Sequence, residues 1–124
     1  MKRLLIAFAL LTPLSVNAAS FDCQKAQAAD EKAICAHLTL NDKDVEMHTK
    51  YQFLKGLFAM GSRGALQDAQ QSWLKQRQQC KADVTCLTKA YNECIDSLEV
   101  RKKPGGHWII RDLMGLDLVG LASL

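Results

Sequence analysis

The sequence has little excess of positive over negative charge. Its 16 basic and 13 acidic residues leave a formal net charge of +3 over 124 residues, and residues 19–100 carry 10 basic against 11 acidic side chains. A nucleic-acid-binding domain concentrates lysine and arginine on one face. The near-neutral balance therefore argues against that class of protein, and it offers no strong electrostatic steering of a charged partner.

Signatures of catalysis and of metal binding are missing as well. The chain has no glycine-rich phosphate loop, no nucleophile elbow and no pair of catalytic carboxylates. Asp44 and His48 are four residues apart and share a helix face, but no third metal ligand accompanies them. We interpret them as an exposed ion pair. We therefore expect a protein that is not an enzyme and that uses no metal or other cofactor.

Strand patterns are also few. No stretch of four or more residues alternates apolar with polar side chains, and β-branched residues are not enriched. Apolar residues instead recur at the spacings of three, four and seven that mark one face of a helix. These spacings predict an all-α fold, a small antiparallel bundle of about four helices joined by short loops. A core this small is marginally stable alone, which is a physical reason for disulfides.

The predicted helices can be placed along the chain. They are a short helix starting at Asp30, one reaching about Met60, one over residues 65–79 and one over residues 84–103. Thr39 or Asn41 can cap the second helix, and Asp83 can cap the fourth. The Gly-Ser-Arg-Gly stretch of residues 61–64 interrupts the apolar pattern and predicts a turn that exposes Arg63.

Three residues of the last two helices are predicted to be structural. Trp73 and Tyr91 lie on the apolar stripes of these helices, so we place both in the core. Arg77 lies one turn after Trp73. We expect its guanidinium to stack on an aromatic ring or to pair with a carboxylate of the next helix.

The first 18 residues have the pattern of a secretory signal peptide. A basic start precedes a short apolar run, and Val16 and Ala18 are small residues at the positions a signal peptidase reads. The pattern predicts cleavage after Ala18 or Ala19. A membrane anchor is the less favoured alternative, because the apolar run is too short to span a bilayer comfortably. We expect a periplasmic or secreted protein without a transmembrane segment after cleavage.

The chain has five cysteines, and no two of them form a CxxC pair, which disfavours a zinc ribbon or a redox pair. In an oxidising compartment disulfides persist. A bridge between Cys80 and Cys86 would close the turn between the last two helices and contribute about 2 kcal/mol. A bridge between Cys23 and Cys35 would pin the N-terminal lead to the first helix and contribute about 3 kcal/mol. We favour Cys94 as a buried, unpaired thiol over a disulfide-linked dimer through it.

The predicted domain covers residues 19–103, and a tail of residues 104–124 follows it. The tail is apolar without being amphipathic, and its charges at Arg111, Asp112 and Asp117 disfavour a membrane span. We favour a mobile or loosely docked tail. Packing into a groove of the bundle or of a second copy comes next, and contact with a membrane surface is the third alternative.

An ordered set of residues in these elements matches a known pattern. Its first half is Phe21-Asp22-Cys23, Glu31-Lys32, Ile34-Cys35, Asp44 and Tyr51, and its second half is Gln70, Trp73-Leu74, Arg77, Cys80, Cys86-Leu87, Tyr91 and Ile95. The set covers residues 21–99 and resembles the LprI-type lysozyme inhibitor family of small exported, cysteine-bridged bacterial proteins. Three features depart from that pattern: Lys43, Cys94 and the tail after Arg101. The resemblance implies an exported helical domain with local disulfides. At least one type of protein in that family binds and inhibits lysozyme.

We therefore expect an exported binding module that acts by occluding a site on a partner protein, with a lysozyme as the partner that the resemblance implies. Arg63 and the neighbouring Ser62 are the candidate contact, because a protruding guanidinium could pair with the two carboxylates of a lysozyme cleft. An ordinary solvated turn is the simpler interpretation of the same segment. The alternative function is an envelope or stress-related structural protein without an enzyme target, assembling through Cys94 or the tail.

Overall fold

The computed structural model describes residues 19–58, 60–102, 108–111 and 117–119, and it describes side chains for residues 19–58 and 61–99. The predicted signal peptide, residues 1–18, lies outside the described residues. The elements in chain order are a 3₁₀ turn at Cys23–Lys25, helices α1 at Ala29–Ala36, α2 at Leu38–Leu57, α3 at Met60–Gln79 and α4 at Val84–Ser97, and strands β1 at Val100–Lys102, β2 at Trp108–Arg111 and β3 at Asp117–Val119.

The helical part is a small bundle with two local disulfides, as the sequence predicts. Helix α2 packs against α4, and α1 lies against both α2 and α3. The core draws on every helix, with Ile34 from α1, Leu40 and Leu54 from α2, Trp73 from α3 and Leu87 from α4. These side chains come from the apolar stripes of their helices, so hydrophobic burial sets the packing arrangement.

Both predicted disulfides are formed. Cys23 and Cys35 join the 3₁₀ turn to the last turn of α1, with a Cα–Cα distance of 5.7 Å. Cys80 and Cys86 join the end of α3 to the start of α4, with a Cα–Cα distance of 5.5 Å. Asp83 caps α4 as predicted, because its Oδ1 accepts a hydrogen bond from the Cys86 backbone N–H at 3.0 Å.

The junction between α2 and α3 differs from the prediction. Helix α2 begins at Leu38 after His37, so Thr39 and Asn41 lie inside it and are not caps. Helix α3 begins at Met60, so the predicted turn at residues 61–64 is its first turn. Glycine lowers helix propensity by only about 1 kcal/mol per residue, and packing of a helix can override that preference. Here the buried stripe of α3 begins at Leu66, directly after the glycines.

Three short strands that the sequence pattern did not predict follow the bundle. Helix α4 ends at Ser97 and not near residue 103, and β1, β2 and β3 form an antiparallel sheet in that order. Val100 pairs with Ile110, and Ile109 pairs with Val119. Strands of three or four residues are too short to show a clear alternating pattern, which is why the prediction missed them. Strand β2 lies against α4; the rest of residues 104–124 falls outside the described residues.

Candidate functional site

A buried polar cluster lies between the helices. Arg77 of α3 is only 5% exposed, and its Nε donates a hydrogen bond of 2.9 Å to Oδ2 of Asp30. Asp30 lies in the first turn of α1 and is 2% exposed. The pair therefore joins α3 to α1 in a region that water barely reaches, where a charge-assisted hydrogen bond is strong.

Asp44 of α2 is the second carboxylate of this cluster, and it is fully buried. Its Oδ1 accepts a hydrogen bond of 2.7 Å from the Tyr91 hydroxyl, and its Oδ2 accepts one of 2.7 Å from the Ser20 backbone N–H. Nη1 of Arg77 lies 3.8 Å from Asp44 Oδ1 and donates to the Tyr91 hydroxyl oxygen at 3.3 Å. The cluster thus joins all four helices and the N-terminal segment.

Electrostatics keep Tyr91 and Arg77 each in one protonation state at neutral pH. Burial, together with the negative charge of Asp44, raises the pKa of Tyr91 far above its usual value of 10.0, so the phenol stays protonated and donates to Asp44. Burial by itself lowers the pKa of Arg77, but contact with Tyr91 and Asp30 raises it above its ordinary value. The guanidinium therefore stays charged.

Aromatic rings enclose the cluster. Trp73 and Tyr91 pack edge to face with ring centroids 5.1 Å apart. The guanidinium of Arg77 lies over the rings of Phe21 and Trp73, at 5.7 and 5.8 Å from their centroids. Trp73 Nε1 donates to the Ala90 carbonyl at 3.0 Å, so the indole has its own polar partner. Trp73 and Tyr91 are core residues, as predicted.

Two interpretations of single residues need correction. Asp44 and His48 do not form an exposed ion pair, because Asp44 faces the core and His48 instead contacts Gln52. Arg77 does stack on aromatic rings, as one predicted alternative had it, but the carboxylates it pairs with come from the preceding helices α1 and α2 and not from the next helix. The sequence carried one signal for Asp44: it lies on the same helical stripe as the buried Leu40 and Met47.

Cys94 is a free cysteine in α4 and is fully buried. Burial raises the pKa of its thiol to about 12, so the reactive thiolate is rare at neutral pH. The sulfur lies 4.0 Å from Oε1 of Gln70. A thiol in this position packs as a small apolar side chain.

The side of α2 opposite its buried face carries four exposed apolar side chains among exposed polar ones such as Asp42 and Glu46. We call it the α2 outer face; its members are Leu38, Val45, Phe53 and Leu57. Leu38 is 73% exposed and Phe53 is 63% exposed. Spacings of seven, eight and four residues place all four within an arc of roughly 120° on the helix. The apolar spacing of α2 predicted only its buried stripe, and these four exposed side chains were not predicted.

A shallow groove adjoins the C-terminal end of the α2 outer face. It is lined by Lys50, Phe53, Leu54, Leu98 and Glu99, and so lies between α2 and the end of α4. Lys50 forms ion pairs with Glu46 at 3.2 Å and with Glu99 at 3.7 Å. The exposed ring of Phe53 is therefore bordered by charged side chains.

Arg63 and Ser62, the predicted contact residues, lie in the first turn of α3 and are half-buried. Nη2 of Arg63 donates a hydrogen bond of 3.1 Å to the Phe58 carbonyl at the end of α2. Its buried Nε has no hydrogen-bond partner among the described residues. The guanidinium is thus held at the helix junction and does not extend from a free turn. Its role as a partner contact stays a prediction.

These features define a small disulfide-stabilised helical protein with a buried polar cluster and four exposed apolar side chains on one side of α2. Within the described residues no helix is both long and apolar enough to cross a membrane. In the same part of the chain no three histidine, cysteine or acidic side chains are grouped closely enough to hold a metal ion. Comparison with family models, with curated proteins and with solved structures found no match to this chain.

Proposed function

We propose that this chain is an exported binding module that occludes a site on a partner protein through the α2 outer face. The observation that carries the proposal is the exposure of Phe53 and Leu57, one turn apart on the same side of α2. Large apolar side chains grouped on a surface mark interaction sites, because leaving them in water is unfavourable.

The surroundings of Phe53 suit a protein contact. Protein interfaces combine an apolar centre, often aromatic, with a polar rim. Phe53 supplies such a centre, Leu57 follows one turn later, and the ion pairs of Lys50 with Glu46 and Glu99 form a rim on one side. Arg63, held at the end of α2, would extend that rim.

The scaffold holds α2 in a defined position. Asp44 fastens its inner face to α3 and α4 through Arg77 and Tyr91. The Cys23–Cys35 disulfide holds the segment before α2, and the Cys80–Cys86 disulfide fixes the turn between α3 and α4. A surface ordered before binding loses less conformational entropy when the partner arrives, which raises affinity.

Export to a periplasmic or extracellular location is part of the proposal. The basic and apolar start of the chain supports it, and two disulfides are typical of proteins from oxidising compartments. A lysozyme is the partner that the resemblance to LprI-type inhibitors supports. The module would then act by covering the cleft that holds the two catalytic carboxylates.

The test is a turbidity assay of bacterial cell-wall lysis with several lysozymes and the purified mature protein. The wild-type protein should slow lysis by at least one lysozyme. Replacing both Phe53 and Leu57 with alanine should weaken the inhibition about tenfold or more, since interface aromatics commonly contribute above 1 kcal/mol. Gln67→Ala is the matched control, because Gln67 is exposed on another helix.

The two parts of the proposal fail separately. If no lysozyme is slowed, the lysozyme assignment falls. If inhibition is seen but the Phe53/Leu57 double variant inhibits as well as Gln67→Ala does, the α2 outer face is not the contact. Circular dichroism and thermal unfolding of both variants should match the wild type, because all three residues are exposed.

The alternative function is a structural protein that assembles with itself. The buried position of Cys94 argues against assembly through a disulfide at that residue. That thiol is fully buried in the folded domain and cannot reach a second copy. Light scattering over a range of concentrations tests the remaining route, assembly through apolar surfaces. A dimer that the Phe53/Leu57 double variant loses would favour the alternative.

A further inference from the structure

The buried polar cluster has an uneven charge balance. Asp30 and Asp44 are 2% exposed or less, and the ion pairs of the described residues give these two carboxylates a single cation, Arg77. Arg77 is closest to Asp30, at 2.9 Å, and lies 3.8 Å from Asp44. Buried charges are unfavourable unless they are paired. Asp44 therefore lacks a close cation of its own.

The remaining close partner of Asp44 is the backbone nitrogen of Ser20. Its N–H donates to Asp44 Oδ2 at 2.7 Å, although the two residues are 24 positions apart. Ala19, the preceding residue, is also buried. The chain at residues 19 and 20 is thus placed directly against the inner face of α2.

We infer that removal of the leader creates the missing cation, so that the α-ammonium group of the processed chain becomes the ion-pair partner of Asp44. The inference uses the leader cleavage that belongs to the proposed export, and it does not depend on the identity of the partner. Nothing in the sequence pattern alone connects the cleavage position with Asp44.

The chemistry is one hydrolysis. A signal peptidase adds one water across a peptide bond, which leaves a carboxylate on the last leader residue and an amine on the first residue of the mature chain. That amine takes up a proton from water at neutral pH, because an α-amino group has a pKa of about 7.7–8.0. A neutral amide next to Asp44 is then replaced by a positive charge.

Both predicted cleavage positions bring this charge to the carboxylate. Cleavage after Ala19 places it on the Ser20 nitrogen, which lies 2.7 Å from Asp44 Oδ2. Cleavage after Ala18 places it on the Ala19 nitrogen. Successive backbone nitrogens are at most about 3.7 Å apart by standard bond lengths, so the ammonium would lie at most about 6.4 Å from the carboxylate oxygen, at the outer limit of the distance over which an opposite charge acts.

The ion pair has a defined pH dependence. The charged groups facing the new amine are Asp44 from α2, Arg77 from α3 and Asp30 from α1, with the neutral Tyr91 from α4. Asp44 is the nearest, so the α-amino pKa should be raised in the folded state. The stabilisation is then fully present below the unfolded pKa of about 8 and is lost as the pH rises through the folded pKa.

The first experiment measures that pKa directly. The exported protein is isolated, its first residue is identified by intact mass, and the α-amine is followed by NMR after ¹³C-dimethylation while the pH is raised. We expect a pKa at least about one unit above that of the same dimethylated amine in the urea-unfolded chain. An equal pKa in the folded and unfolded chains would overturn the inference.

The second experiment compares the mature chain with one that carries Gly-Ser-Gly before its first residue, which moves the charge away but keeps the backbone amide. The mature chain should have the higher urea midpoint near pH 6.5, and the difference should shrink toward zero near pH 10. Equal midpoints at both pH values would contradict the ion pair.

The control repeats the comparison of the mature and extended chains in the Asp44→Asn variant. In that variant the mature and extended chains should have the same midpoint, because the carboxylate is gone. A difference that persists in Asp44→Asn would show that the extension acts by sterics and would overturn the inference. If Asp44→Asn does not fold, the inference is decided by the first experiment, which compares the α-amino pKa of the folded wild-type chain with that of the unfolded chain. None of these measurements involves a lysozyme, so they fail or succeed independently of the proposed partner.

Discussion

The Tyr91 hydroxyl donates a hydrogen bond of 2.7 Å to Oδ1 of Asp44 and so joins α4 to α2 inside the core. The same hydroxyl accepts a hydrogen bond from Arg77 Nη1 at 3.3 Å. Tyr91 thereby connects a buried anion with a buried cation. The stability of the domain should depend strongly on this one oxygen atom.

Tyr91→Phe removes that oxygen and leaves the ring in place. Asp44 then loses a donor and Arg77 an acceptor in a region without free access to water. We expect the free energy of unfolding to fall by about 1–3 kcal/mol, the usual effect of leaving a buried polar group without its partner. Urea unfolding measures it. Tyr51→Phe is the control and should change stability little, because Tyr51 is only half-buried and lies outside the cluster. Equal effects of the two substitutions would contradict the assigned role.

Arg77→Gln should be more damaging, because it leaves Asp30 and Asp44 buried without a cation. Removal of one partner from a buried ion pair commonly costs about 3–5 kcal/mol. Adding Asp30→Asn should recover part of that loss, which gives a coupling energy of about 0.5–3 kcal/mol in a double-mutant cycle. The control is Lys75→Gln, an exposed position on the same helix. Strictly additive effects of Arg77→Gln and Asp30→Asn would show that the two side chains do not interact.

Cys94 should be unreactive in the folded protein. Burial raises the pKa of the thiol to about 12, so at pH 8 only about one molecule in ten thousand carries the reactive thiolate. A thiol-specific chromogenic disulfide should label no cysteine per chain in buffer and one in urea, without reductant. Non-reducing gels should show a monomer. Rapid labelling in buffer or a dimer band that reductant removes would contradict the buried position.

Gly64→Ala tests the helical first turn of α3. A Cβ built at Gly64 meets no atom within 4 Å, and the residue lies inside the helix. Alanine should therefore stabilise the domain by about 0.5–1 kcal/mol, since it restricts the unfolded chain and favours the helix. Thermal unfolding measures the gain. A loss of stability would indicate the turn that the sequence pattern predicts and not the helix.

The outcome at the two helix junctions shows what local patterns can predict. Asp83 could be predicted as a cap because the backbone N–H group that it accepts from follows it closely in the chain. The Cys80–Cys86 disulfide could be predicted because only a short loop separates the two cysteines. The α2–α3 junction was predicted wrongly, because glycine preference is a weak local effect and burial of residues such as Leu66 outweighs it. The three strands after the bundle were missed because each is only three or four residues long.

The sequence by itself determined the helical class, the two disulfides and the burial of Trp73 and Tyr91, because helix periodicity and short loops relate residues that are close along the chain. Only the tertiary structure decided the partners of the buried charges. Asp30 and Arg77, and likewise Asp44 and Tyr91, are 47 residues apart. No local spacing connects such pairs, and they meet only because burying the apolar stripes brings α1 and α2 against α3 and α4. The same packing leaves the α2 outer face exposed and places the Ser20 nitrogen on Asp44.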